Sequence, residues 1–237
     1  MKLILLLFFP CVGFSLLRNF FSLYNKFYHY FQKSKKDIYP IANVPVQDDK
    51  KLIILTPAGM YGFYVLGVAS YLKQHYDLSD YIFSGASAGA WNSLFLTYNG
   101  QHTDEMYKNL FTCVSNSSNI YQMELNMENF MLNEFRHDDF ELDRLNVGVA
   151  ALKRFHFKLY VYNDFDSLED ALDSCIASSH IPFISGGLYA KYRNRWSFDG
   201  GFYSYPYVKN IIPSFIIHPS MWNSTPVSYT HLTLPTT

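Results

Sequence analysis

Continuous apolar runs alternate with helix-spaced apolar positions through the middle of the chain. Lys51-Leu52-Ile53-Ile54-Leu55 reads as a strand buried on both faces of a parallel sheet. It runs into Thr56-Pro57-Ala58-Gly59-Met60-Tyr61-Gly62, after which Val65, Val68, Ala69 and Leu72 share one face of a helix. Leu78-Ser79-Asp80 precedes a second buried-strand run, Tyr81-Ile82-Phe83. Ala88 to Leu96, with Ala90, Trp91 and Leu94, then predicts a helix. Thr103 to Arg136 shows no strand alternation and predicts helix, broken by a loop at Asn116-Ser117-Ser118. That tripeptide is also a glycosylation sequon, meaningful only on a secreted chain. Phe155 to Tyr162 predicts a strand, and Asp166 with Glu169 a capping-box start for a helix through about Ser178. Pro182 and Gly186-Gly187 end that segment, and Tyr192 to Phe198 predicts one strand leading into Asp199-Gly200-Gly201. Strand, glycine loop, helix, strand, turn and helix in this order predict an α/β fold, with a mostly parallel central sheet flanked by helices.

Candidate chemistry sits where these elements meet. In Gly85-Ala86-Ser87-Ala88-Gly89 a serine has a glycine two residues away on either side, between a predicted strand and a predicted helix. A sharp turn there lifts the hydroxyl out of the sheet, and the missing side chains let a helix and a substrate approach. A serine hydroxyl needs a base within hydrogen-bond reach, and the oxyanion formed on attack needs fixed backbone N–H donors. The loop at Gly59 to Gly62 follows the first core strand, a place from which a loop can point N–H groups toward the serine turn. Asp199 ends a predicted strand, and Gly200 and Gly201 let it reach the crevice beyond the strand ends.

The three pieces, in this order, resemble the patatin-like phospholipases. That family has a glycine-rich oxyanion loop, then Gly-x-Ser-x-Gly, then a distant Asp-Gly-Gly or Asp-Gly-Ala. The resemblance covers about Lys51 to Pro206. Gly62-Phe63-Tyr64-Val65-Leu66-Gly67-Val68-Ala69 is similar to the triglyceride-lipase branch, and Cys175 to Pro182 to the segment before the Asp strand. The resemblance implies a patatin-like α/β/α sandwich and a dyad without histidine, with Ser87 the nucleophile and Asp199 its base. It also implies an oxyanion hole at Ala58, Gly59 and Met60, Pro57 having no N–H to donate. Motif glycines fall at Gly62, Gly85, Gly89, Gly200 and Gly201. The implied reaction is hydrolysis of glycerolipid carboxylic esters, of phospholipid or acylglycerol, through an acyl-enzyme and without a cofactor. Tyr61 stands where the family commonly has Arg or Lys, and Ser204-Tyr205-Pro206 departs from its Asn before a Pro.

Two other readings carry different predictions. An α/β-hydrolase-type esterase with a Ser-Asp-His triad would take its histidine from His218, since His180 precedes Asp199 and breaks that fold's chain order. His180 is expected to be a structural histidine in a loop. A non-catalytic lipid-binding protein of the same fold would keep the architecture without turnover.

Composition narrows the partners. Hydrophobic residues make up 49 % of the chain, which suits a packed domain rather than disorder. Formal net charge is −1, and no basic run alternates with aromatics in the body of the chain, so nucleic acid is not the expected partner. Phe and Tyr are abundant, either as a lipid-facing surface or as a compositional bias. Cys11, Cys113 and Cys175 form no metal-ligand pattern and no disulfide framework. The expected partner is a lipid ester at a membrane or lipid-droplet surface.

The ends differ from the middle. Leu3 to Leu17 is almost wholly apolar, and Asn19 to Phe31 interleaves aromatics with Lys26, ahead of Lys33, Lys35 and Lys36. Residues 1–36 are expected to associate with membrane, as an anchor or an uncleaved signal, with a secretory route open. Residues 37–50, with Pro40 and Pro45, read as a linker, and 51–226 as the acyl hydrolase domain. Residues 227–237, including Ser228-Tyr229-Thr230-His231-Leu232-Thr233, resemble translated adapter sequence and are expected to be a non-native tail.

Overall fold

The computed structural model describes residues 38–40, 50–153, 156–203, 208 and 211–219. The predicted N-terminal membrane segment, Ser204-Tyr205-Pro206 and the expected tail lie outside these residues. Their core is an eight-stranded mixed sheet with the path β1-β5-β4-β3-β2-β8 and β7 and β6 branching from β4. The strands are β1 (Ile38–Pro40), β2 (Lys51–Leu55), β3 (Tyr81–Gly85), β4 (Leu145–Lys153), β5 (His156–Tyr162), β6 (Ala190–Tyr192), β7 (Arg195–Phe198) and β8 (Pro213–Ile217). The helices are α1 (Gly62–His75), α2 (Ala88–Thr97), α3 (Thr103–Ser115), α4 (Ile120–Glu134) and α5 (Leu168–Ser179). The fold class is α/β, as the order of elements predicts.

β2 pairs in parallel with β3 and β8, and β3 in parallel with β4. Alternate residues of these strands enter different apolar clusters. Ile53, Leu55 and Phe83 join the helices, while Leu52, Ile54 and Ile82 meet Phe198, Phe202, Tyr203 and Val208. Burial on both faces is why β2 and β3 lack the polar alternation of a half-exposed strand. β1, inside the segment predicted as a linker, pairs in parallel with β5.

Besides β1 and β8, which the sequence reading did not predict, three features differ from it. β4 was not predicted, yet it pairs with β3, β5 and β7. Tyr192 to Phe198 is a hairpin of β6 and β7 rather than one strand, turning at Arg193 and Asn194, both of positive φ (42° and 61°). Two successive left-handed residues match the twist of the flanking strands, and Arg193 is held there by Asp170 (2.6 Å) and Asp164 (2.7 Å). The cap of α5 is Ser167, whose Oγ accepts from Asp170 N–H (3.1 Å), one residue beyond the predicted Asp166–Glu169 box.

Arg144 ties the entry of β4 to its neighbour. Its Nε donates to Tyr81 C=O (2.7 Å), a second guanidinium nitrogen donates to Leu78 C=O, a third pairs with Glu141, and the group lies over the Phe83 ring. Arg144→Leu keeps apolar bulk but removes a charged donor from both carbonyls, leaving Leu78 C=O with the Tyr81 N–H (3.0 Å). It is expected to cost about 2 kcal/mol, read as a lower urea midpoint at unchanged slope.

Candidate functional site

At the C-terminal end of β3 the chain reverses into α2, and Ser87 sits at the reversal with φ 55° and ψ −133°. A non-glycine residue held in this region is strained, and such strain persists only where surrounding bonds over-determine it. Here they do. Ser87 N–H donates to Ser178 Oγ (2.8 Å), and Ser178 Oγ–H donates to Gly148 C=O of β4 (2.7 Å). Gly85 and Gly89 make the turn tight enough. A Cβ on Gly85 would meet the Gly89 carbonyl, and one on Gly89 the Leu55 carbonyl.

Asp199 lies between β7 and a short 3-10 turn at Gly200–Phe202. The structure brings it to Ser87, whose Oγ–H donates to Asp199 Oδ2 at 2.8 Å. Its other oxygen, Oδ1, accepts Gly201 N–H at 2.6 Å, and its own N–H donates to His180 C=O at 2.8 Å. The residue is 2 % exposed. Burial pushes its carboxyl up to about 7, against the downward pull of the Gly201 N–H and the Ser87 hydroxyl. A buried aspartate with a proton affinity near neutrality is a far better base than a free one at about 3.9.

The loop after β2 forms a 3-10 turn at Gly59–Tyr61, closed by Tyr61 N–H on Ala58 C=O (3.0 Å). The first amides of such a turn, at Gly59 and Met60, have no partner inside it. Gly59 has φ +51°, open space where a Cβ would stand, and a backbone free for an oxygen to approach. Gly62, starting α1, lies so close to α2 that a Cβ there would be 2.5 Å from Ala88 Cβ. Asn92 of α2 donates to Gly62 C=O (3.0 Å), so this loop is fixed against the helix that Ser87 begins.

His180 is buried just past α5, where burial holds its imidazole below the usual histidine range against the pull of backbone groups at Gly187, Leu188 and Ser185. It contributes its backbone carbonyl to Asp199. His218 follows β8, which pairs with β2 rather than β3. The acceptor on Ser87 Oγ is Asp199. Ser178 was not singled out as a site residue. It is a polar position near the end of an amphipathic helix, and its partners lie 91 and 30 residues away along the chain. A polar cleft lined by Lys73, Gln101, His102, Asp104 and Lys108 opens at the start of α3 and contains none of these groups.

The family model for patatin-like phospholipases matches residues 58–208. No curated protein and no solved structure matches the chain.

Proposed function

The chain belongs to the patatin-like phospholipase family, and on that footing we propose that it is a serine lipid acyl hydrolase. It cleaves carboxylic esters of glycerolipids through a Ser87–Asp199 dyad. The observation that carries this reading is the 2.8 Å hydrogen bond from the Ser87 hydroxyl to a buried, proton-avid aspartate.

In the proposed reaction Ser87 Oγ attacks the ester carbonyl carbon while Asp199 Oδ2 takes the hydroxyl proton. The oxyanion of the tetrahedral intermediate is met by backbone N–H groups of Ala58, Gly59 and Met60. Ala88 N–H, the first amide of α2, adds to them at the positive end of the helix dipole. The Ser87 amide is already committed to Ser178, and those of Gly89 and Ala90 to carbonyls of the turn. Asp199 returns its proton to the departing alcohol or lysolipid, leaving an ester on Ser87. It then takes a proton from water, whose oxygen attacks the acyl carbon; the bond to Ser87 Oγ breaks, the fatty acid leaves, and Asp199 returns the proton to Oγ.

Apolar side chains beside the oxyanion loop suit an acyl substrate. Met60, Val114, Ile120 and Met123 line a shallow cleft there together with Ser117, Ser118 and Asn119. Tyr61, half exposed, stands in that loop without a cationic group for a phosphate, which favours acylglycerol over phospholipid as substrate. Among the described residues no helix is long and apolar enough to cross a membrane. Contact with a membrane or lipid droplet is assigned to residues 1–36.

The test is fatty-acid release from triacylglycerol emulsions and phosphatidylcholine vesicles between pH 5 and 8, alongside labelling by a serine-directed alkyl fluorophosphonate. Asp199 must be ionised to accept a proton, and burial favours its neutral form. Activity is therefore expected to vanish on acidification, with kcat/KM rising through an apparent pKa near 7. The label is expected on Ser87. Release with no acid limb, or a label carried elsewhere, overturns the dyad.

A further inference from the structure

Three consecutive residues at the end of α5 hold the parts of the site together. Ser178 takes the Ser87 N–H, and the carbonyl of His180 takes the Asp199 N–H. Between them, Ser179 reaches sideways. Its Oγ lies 2.5 Å from Glu124 Oε1 of α4 and accepts Trp91 Nε1–H of α2 at 3.2 Å. It also lies 2.8 Å from the carbonyl of Cys175, one helical turn back. Both halves of the dyad and two further helices therefore meet on one tripeptide.

The protons at Ser179 decide the state of Glu124. A serine hydroxyl has one proton to donate. If it goes to the Cys175 carbonyl, as is common for serine inside a helix, the contact to Glu124 must be filled by a proton from the other side. A carboxylic O–H on Glu124 supplies it. Ser179 Oγ then donates once, to Cys175, and accepts twice, from Trp91 and Glu124. The remaining oxygen of Glu124, Oε2, is buried without a partner among the described residues. That is tolerable for the carbonyl oxygen of a neutral acid and costly for an ionised carboxylate.

The surroundings agree. Glu124 is 3 % exposed. From α5 it faces Cys175 and Ser179, and from α2 Trp91 approaches the same hydroxyl. The charges that act on it are Asp199 of the dyad and Glu128 of its own helix, both acidic. Burial foremost, with those two charges adding to it, pushes its carboxyl up to about 8; only a Ser179 hydroxyl turned to donate to Glu124 would pull it back down.

We propose that Glu124 is a positioning residue kept as a neutral carboxylic acid, whose O–H donates to Ser179 Oγ and fastens α2 and α4 to the tripeptide that holds Ser87 and Asp199. Its ionisation removes that donor and sets a second negative charge near Asp199. The inference rests on the hydrolase reading for its kinetic arm only.

The experiment compares wild type, Glu124→Gln and Glu124→Leu. Glutamine keeps the shape and offers an N–H donor at every pH; leucine keeps bulk and offers none. Wild type is expected to lose about tenfold in kcat by pH 9, as a group titrating near 8 ionises. E124Q is expected to match wild type at pH 7.5 and to hold its activity to pH 9. E124L is expected to lose about tenfold in kcat at pH 7.5 with little change in KM, the mark of misplaced catalytic groups. An alkaline fall that persists in E124Q, a loss in E124Q equal to that in E124L, or a fully active E124L overturns the proposal.

A second measurement needs no turnover. Folding must keep this acid neutral above its ordinary value of 4.5, so wild type loses stability as pH rises from there toward 8. E124Q has nothing to titrate. The difference between their urea midpoints is expected to open in favour of E124Q from pH 5 to pH 8, and a constant difference overturns the neutral acid. A wild type that releases no fatty acid while this difference opens leaves Glu124 neutral and removes the hydrolase reading instead.

Discussion

Ser87→Ala is expected to abolish fatty-acid release, and Asp199→Asn to come close to it. Removing one member of a nucleophile–base pair costs on the order of 10³-fold or more in kcat/KM, because neither half performs the chemistry alone. Alanine at 87 removes the attacking oxygen and leaves the backbone bond to Ser178 in place. Asparagine at 199 keeps an acceptor for Gly201 N–H but has no carboxylate to take a proton. The double variant is expected to be no worse than Ser87→Ala, since the two residues act as a unit. His218→Ala is expected to leave the rate unchanged. Initial rates on emulsified triacylglycerol, with circular dichroism to establish folding, check all four. A folded Ser87→Ala that keeps a tenth of wild-type activity would sink the assignment, and a folded, inactive His218→Ala would move it to a triad.

Gly85→Ala is expected to be among the most damaging single-methyl additions at the described residues. The added carbon would press on the Gly89 carbonyl and near Ser93 Oγ (2.7 Å), where the nearest obstacle is backbone and cannot swing away. Gly89→Ala presses in the same way on the Leu55 carbonyl and lies 2.9 Å from Thr56 O, wedging α2 off β2. Overpacking against movable side chains costs about 1–3 kcal/mol. Against backbone at the crossing of two strands and a helix, about 3 kcal/mol or more is expected, a large part of a typical domain's stability. Gly187→Ala is the control, with nothing within 4 Å of the new carbon and an expected change within about 0.5 kcal/mol. Urea midpoints of the three variants decide it. Equal midpoints would mean that the close approach of β3, α2 and β2 does not limit the fold.

The part of this molecule that could be read from its residues is the part whose signals are local. β2 and β3 announce themselves as apolar runs, and Ser87 and Asp199 each sit beside glycines that only a tight turn or close approach explains. β4 was silent because Asn146, Gly148, Ala150 and Ala151 blur its apolar pattern, although three strands pair with it. The β6–β7 hairpin was silent because its left-handed turn is built from Arg193 and Asn194, with no glycine or proline to mark it. Ser178 and Glu124 are polar residues within helices. Their importance comes from partners 91 and 55 residues away, which no window along the chain contains.

The tripeptide at the end of α5 also bears on how the protein reaches its native state. The hydroxyl and the carboxylate it unites are 112 residues apart along the chain. Contacts of such long separation form late, after the loop entropy between them has been overcome. Helices and the β2–β3 pair can assemble early from neighbouring sequence, but the dyad exists only once α5 has docked on β4 and the β6–β7 hairpin has closed behind it. Recovery of fatty-acid release on refolding is thus expected to lag behind recovery of helical circular dichroism, since a chain without the docked α5 and the closed hairpin has no partner for Ser87.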